Sequence, residues 1–259
     1  MQIFLREKLQ NKKMTEKEVK KWWEENAKYF QEKINIGAGA EYGPGAPNEK
    51  HLKLLGNLKG KEILEIGCGG AQCSVFFAKQ GAKVTGIDIS KEQLKFARKL
   101  IEKNKVKVDL IQGSFQDLRK IKSSSKDIVF SAYALQYSPD LLSVFRQVMK
   151  ILRKGGLFVF SFNHPIWDLL DYKNLKIRNS YFDTGKHSNK GSSGKFVIYT
   201  RTLSEIYNNL LKTGFFVEQI IEPDSRKRYP DDACYGVWDY KPKIMKMVPP
   251  TIIFKCRKK

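Results

Sequence analysis

From Lys61 onward the chain switches regularly between two hydrophobic rhythms. Short apolar runs bounded by polar residues predict strands at Glu62–Ile66, Lys83–Ile87, Val106–Ile111, Asp127–Ala132 and Leu157–Phe162. Between them, apolar residues recur three and four positions apart. This spacing predicts helices at Cys73–Gln80, Lys91–Asn104 and Leu141–Leu152, the second carrying Leu94, Ala97 and Ile101 on one stripe. Gly81 stops the first helix, and Lys154-Gly155-Gly156 follows the third as a turn. Alternating strands and helices bury their apolar faces best as a parallel sheet covered on both sides. Right-handed crossovers then make that sheet doubly wound.

The flanks read differently. Residues 1–59 form a helical lead-in. Thr15-Glu16-Lys17-Glu18 has the form of a capping box opening a helix. Val19, Trp22, Trp23, Ala27 and Phe30 give that helix an apolar stripe up to about Ile36-Gly37. The glycines and prolines of Gly37–Pro47 predict a loop, and a second helix starts at Asn48 and carries Leu52, Leu54 and Leu55. Residues 163–200 break the strand–helix rhythm with Asn, Gly and Ser clusters. They are expected to be an insertion over the active face, with a hairpin ending in Phe196–Thr200. A helix at Leu203–Lys212, a strand at Phe215–Ile221, a loop to about Pro250 and a strand at Thr251–Lys255 close the chain. The expected organisation is a lead-in or lid over 1–59 and one α/β domain over 60–259.

Composition narrows the class. The 259 residues are 41% hydrophobic, a globular composition with enough length for a sizeable core. There is no run of 18 apolar residues and no leader-like N-terminus, so no membrane span is expected and cytoplasmic residence is. The four cysteines (Cys68, Cys73, Cys234, Cys256) form no Cys-x-x-Cys pair, and there are three histidines, so neither a metal site nor a disulfide framework is expected. The formal charge of +21 would attract polyanions. Its lysines are spread along the chain rather than gathered into a basic block with interleaved aromatics. A nucleic-acid partner is therefore the alternative to a small-molecule one.

The chemistry is concentrated in Glu65-Ile66-Gly67-Cys68-Gly69-Gly70-Ala71, between a strand and a helix. Glycines there let the chain turn sharply and let a ligand approach without meeting Cβ atoms. Asp88 follows at the end of the second strand, where a carboxylate can accept both hydroxyls of a ribose. A dinucleotide loop wants a third glycine where this chain has Gln72, and it serves to cradle a pyrophosphate. S-adenosylmethionine has no phosphate and carries an ammonium group, for which Glu65 is suited.

These residues resemble motifs of the class I S-adenosylmethionine-dependent methyltransferases, of the small-molecule, ubiquinone-biosynthesis-like type. Leu64–Gly70 and Gly86-Ile87-Asp88-Ile89-Ser90 look like the first two motifs. Gln112–Phe115, Ser131–Tyr137 and Leu152–Gly156 resemble the later ones in order and spacing. The resemblance implies a Rossmann-like, mostly parallel seven-stranded sheet with an antiparallel last strand. It also implies S-adenosylmethionine as cofactor, with S-adenosylhomocysteine as product. By that resemblance Glu65, Gly67, Cys68, Gly69, Asp88, Ile89 and Gln93 face the cofactor. Gly113, Ser114 and Phe115 frame its adenine, Ser131 and Ala132 contact the cofactor from the loop after the fourth strand, and Tyr29 and Tyr42 touch its methionine end. Ser114 stands where the family often has Asp.

Methyl transfer is a displacement at a sulfonium carbon, so alignment matters most and a base is needed only for some acceptors. His164, directly after the fifth strand, is the candidate base, with Tyr133 beside it in role; His164 equally suits fixing the Pro165 turn. Gln136, Tyr137, His164, Tyr199 and Arg201 are candidates for the acceptor pocket. The expected function is methyl transfer to a small-molecule N, O or C acceptor by a monomer or homodimer. An RNA methyltransferase and a non-catalytic binding protein of the same fold are the alternatives.

Overall fold

Both faces of the central sheet are apolar, and this decides the architecture. The computed structural model describes residues 2–33, 39–171, 176–191, 194–227 and 242–259. Strands β1 (Glu62–Ile66), β2 (Lys83–Asp88), β3 (Val108–Gln112), β4 (Lys126–Ala132), β5 (Leu152–Asn163), β8 (Phe215–Ile221) and β9 (Thr251–Lys258) form one sheet. Its order is β3-β2-β1-β4-β5-β9-β8. The first five strands run parallel, and β9 runs antiparallel to both β5 and β8. A separate hairpin pairs β6 (Gly185–Gly191) with β7 (Gly194–Thr200).

Successive side chains of a strand point to opposite faces. Leu64, Val129, Phe158 and Phe160 accordingly join one core with Val144, Phe145 and Val148 of α5 (Leu141–Ile151) and Ile206 and Leu210 of α6 (Leu203–Lys212). Ile63, Ile128, Phe130 and Val159 join the other, with Phe77 of α3 (Gln72–Lys79) and the segment carrying Tyr42, Leu54 and Leu55. Helix α4 (Lys91–Asn104) packs through Leu94 and Ala97. The register pairs Ile66 with Ile87, and Glu65 with both Gly86 and Phe130, so the carboxyl ends of β1, β2 and β4 lie level. Ligands of open α/β sheets bind outside such an edge.

The structure departs from the sequence expectation at several boundaries. Helix α1 runs from Gln2 to Lys33 rather than opening at Thr15. The residues before Thr15 hold no glycine or proline and are mostly good helix formers, so nothing halts the helix there. Its expected end at Ile36-Gly37 lies outside the described residues, as does Cys234. The helix expected from Asn48 is the single turn α2 (Glu49–Leu52). Asn48 caps it, and left-handed Lys53 ends it. Buried Glu49 then accepts from Leu54 N and Leu55 N, at 3.0 and 2.7 Å, which carries both leucines into the core without a helix. Strand β5 begins at Leu152, so Lys154-Gly155-Gly156 is an irregularity within the strand. Left-handed Gly155 absorbs the shift between the Lys126–Leu152 and Ile128–Leu157 pairs. A short α7 (Pro242–Met245) precedes β9. No helix among the described residues is long and apolar enough to cross a membrane.

Candidate functional site

The turn after β1 is built by backbone geometry. Gly67 and Gly69 have φ of +66° and +50°, and Ala71 caps α3 at +63°. A Cβ on Gly67 would lie 2.3 Å from the Cβ of Ala134, so only glycine lets this turn pass the loop after β4. Gly67 N and Cys68 N both donate to Ile87 O, at 2.8 and 3.0 Å, tying the turn to β2. Asp88 closes the arrangement. Its Oδ2 accepts from Gly69 N and its Oδ1 from Ser90 N, each at 2.8 Å. Burial nevertheless pushes its pKa up to about 6 against those amides. Glu65 is buried and receives the Ser74 hydroxyl. Burial, with a smaller push from the Asp88 charge, raises its pKa to about 7 despite that bond.

Both carboxylates line a cleft enclosing about 1070 Å³ of atom-free space, part of it open to solvent. Among the described residues lining it there is no Lys, Arg or His. The floor is the glycine turn and the loop Ala132–Ala134. Gln136, Tyr137 and Phe115 form one side, and Glu41, Gly43 and Pro44 another. Helix α1 supplies the roof through Val19, Trp23, Phe30 and Gln31. Polar contacts fasten that roof to the domain. Gln31 Nε2 donates to Gln93 Oε1 at 2.7 Å, and Gln72 Nε2 donates to Gln31 Oε1 at 2.5 Å. Ser114 Oγ donates to Glu16 at 2.7 Å, and Lys186 pairs with Glu18 at 2.8 Å. Ring contacts add to them: Trp23 packs on Phe30 and Tyr137 at centroid distances of 5.0 and 5.8 Å, and Trp22 on Phe196 at 5.6 Å.

Of the residues expected at the site, Glu65, Gly67, Cys68, Gly69, Asp88, Ile89, Gln93, Phe115, Ala132, Tyr133, Gln136 and Tyr137 converge on this cleft. Others lie elsewhere. Tyr29 is 44% exposed, because Trp23 and Phe30 share a face of α1 that Tyr29 does not. Tyr42 is fully buried behind the sheet, with its hydroxyl 2.5 Å from Glu49 Oε2. Gly113 packs toward Ile87, and Ser114 is engaged by Glu16 of the roof. Ser131 is buried with its hydroxyl on Ile66 O. His164 lies apart from the cleft. It is 3% exposed, with Nε2 2.7 Å from Glu222 Oε1 and Nδ1 accepting from Ile166 N. Both ring nitrogens serve the turn at the end of β5. Tyr199 and Arg201 line a smaller neighbouring cleft that meets the first at Gln136. Arg201 donates there to Tyr199 O and Ser138 O. The tyrosine of the catalytic pair, Tyr133, faces the cleft, but its hydroxyl lies 2.6 Å from Thr251 Oγ1 and 3.1 Å from Pro250 O.

Gln31, Gln72, Glu41 and Pro44 were not anticipated. Glutamines on a long helix look solvated in sequence, and only the docking of α1 turns Gln31 inward. Trp23 and Phe30 were visible as an apolar stripe on a lead-in read as a lid, and both line the cleft.

The fold and this cleft are those of an open α/β sheet with a ligand cleft at its carboxyl edge. A family model for a methyltransferase domain matches residues 64–160. A Haemophilus influenzae protein described as uncharacterized is 30% identical over 222 residues, which covers 80% of this chain and 85% of that protein. The ubiquinone biosynthesis O-methyltransferase of Vibrio parahaemolyticus is 36% identical over 110 residues, covering 42% of this chain and 47% of the relative. The chain thus matches about half the length of that relative. An S-adenosylmethionine-dependent methyltransferase from Mesorhizobium loti shares the fold at a TM-score of 0.64 and 24% identity, over 80% of this chain and 94% of that one. The chain belongs to the family of the methyltransferase domain that its residues 64–160 match.

Proposed function

We propose that this chain transfers the methyl group of S-adenosylmethionine to a small molecule held between α1 and the carboxyl edge of the sheet. The observation that carries this reading is the pair Glu65 and Asp88. They are two carboxylates with raised pKa values, in a cleft whose described lining holds no cationic side chain, within a protein of net charge +21. Buried acids without a cationic partner favour a ligand that brings positive charge. The turn at Gly67, which a Cβ would block, supplies room for close backbone approach. The residues present therefore fit the cofactor. Asp88 would hold the ribose hydroxyls, Glu65 the ammonium group, and Phe115 and Ile89 the adenine. A diphosphate would meet two carboxylates instead of cations.

The cofactor supplies a methyl group already activated on a sulfonium, so the protein's task is alignment and exclusion of water. Trp23, Phe30 and Tyr137 line the cleft with apolar surface and keep water from the reacting atoms. The Tyr133 hydroxyl is occupied by Thr251 and Pro250, and His164 by Glu222 and Ile166, so neither is placed to take a proton. The relative that methylates an oxygen in ubiquinone biosynthesis supports a small acceptor over a polymer. The roof formed by α1 supports the same choice, because a polynucleotide strand needs an open track. Incubating the protein with methyl-labelled S-adenosylmethionine, a cell extract and purified RNA tests this. Label should enter the small-molecule fraction, and label in the RNA would overturn the assignment.

A further inference from the structure

Gln136 lies in the short 3₁₀ turn Leu135–Tyr137, just after Tyr133, whose φ is +55°. Left-handed backbone is unfavourable for a tyrosine and persists only where surrounding structure enforces it. Here it turns the chain after β4 so that Gln136 lines the main cleft. The residue is 7% exposed, and its Oε1 is buried with no hydrogen-bond partner among the described residues. The Tyr137 phenol neighbours this amide. Nearby donors are committed elsewhere. Arg201 serves Ser138 O, Tyr199 O and Glu205, and Gln116 Nε2 donates to Ser138 Oγ at 2.6 Å. Buried acceptors are nearly always paired, so an unpaired one beside a ligand cleft calls for a donor from outside the chain. Trp23, Phe30, Phe115 and Tyr137 make the surrounding wall apolar.

We propose that Gln136 Oε1 determines specificity by accepting a hydrogen bond from a hydroxyl or N–H group on an otherwise apolar methyl acceptor. This rests on the reading of the cleft as the methyl-transfer site. One hydrogen bond beside an apolar wall fixes the orientation of a molecule that shape alone would leave free to rotate. Gln136 takes no proton away; it is a recognition group, and an analogue without the donor leaves its oxygen unpaired.

The test uses protein saturated with S-adenosylhomocysteine, titrated calorimetrically with para-propylphenol and, separately, with its methyl ether. The two probes are similar in shape and differ in the donor. The wild-type protein should bind the phenol about tenfold more tightly, the scale of one buried hydrogen bond. Gln136→Leu should abolish or reverse that preference, since the ether is the more apolar probe. Gln136→Glu keeps an acceptor and should retain it. Melting temperature and S-adenosylhomocysteine affinity, unchanged in the variants, show that the fold and cofactor site survive. If Gln136→Leu fails to fold, the wild-type ratio and the Glu variant decide. Equal affinities on wild-type protein, binding of neither probe, or a preference that persists in Gln136→Leu overturns the inference. Failure to bind S-adenosylhomocysteine at all overturns instead the reading beneath it.

Discussion

Two carboxylates set the behaviour of the site. Burial, the largest cause at both, raises Glu65 to about 7 and Asp88 to about 6. A cationic cofactor favours their ionised forms, so binding should expel protons between those values. Calorimetry in buffers of different ionisation enthalpy should show proton release, with affinity falling as pH drops below about 7. The apo protein follows the opposite rule. Where the folded state binds more protons than the unfolded one, stability falls as pH rises. These two groups therefore stabilise the fold fully only below their unfolded values of about 4, and that contribution is lost as pH rises through about 6 to 7. Glu65→Gln should raise the apo melting temperature at about pH 8 while weakening the cofactor roughly tenfold or more, the scale of a charged hydrogen bond. A variant that gained no stability, or that kept full affinity, would contradict the electrostatic account. Glu65, Gly67 and Asp88 were legible in sequence because one local strand–turn–helix unit and the next strand end hold them together. Tyr42, Ser131 and His164 were not, because the direction each side chain takes is decided by distant partners: Glu49, Ile66 O and Glu222.

Helix α1 is held over the cleft by a few side-chain contacts rather than by a continuous core. Gln31 is the central fastening, bonded to both Gln93 and Gln72. Gln31→Ala should leave global stability nearly unchanged, since most of these contacts are part-exposed, yet speed release of S-adenosylhomocysteine several-fold. Stopped-flow Trp fluorescence reads this directly through Trp23, and an unaltered release rate would exclude a closing role for the helix. The sequence showed that this helix exists and which stripe is apolar, but not where it starts: a capping box marks a start only if the preceding residues resist the helix. The segments α4, α6 and β8 were legible to the residue because caps and apolar period agree there. The internal irregularity of β5 was not, since Lys154-Gly155-Gly156 reads equally as a turn or as a bulge absorbing extra residues.

At the scale of the whole molecule, charge and site are opposed in sign. The chain carries +21, yet the described lining of its cleft holds acids and no cations. The positive charge is thus not gathered at the reacting centre. Activity on a small acceptor should accordingly change little, less than about twofold, between 50 and 200 mM salt. Phosphate-directed binding would lose about a thousandfold or more over that range. The sheet order was foreseeable once strands and helices alternated, because right-handed crossovers leave few arrangements. The lead-in was read as a lid and residues 163–200 as an insertion over the active face, but the contacts that dock them, such as Glu18 with Lys186, join segments far apart in sequence and were not legible. The central claim is that the turn after β1 and the carboxylate of Asp88 grip a nucleoside. Calorimetric titration of S-adenosylhomocysteine into wild-type protein and Asp88→Ala tests it most directly. One site should bind in the wild type and weaken by roughly 1.5–3 kcal/mol in the variant; no binding to wild type, or equal affinity in both, would contradict the claim.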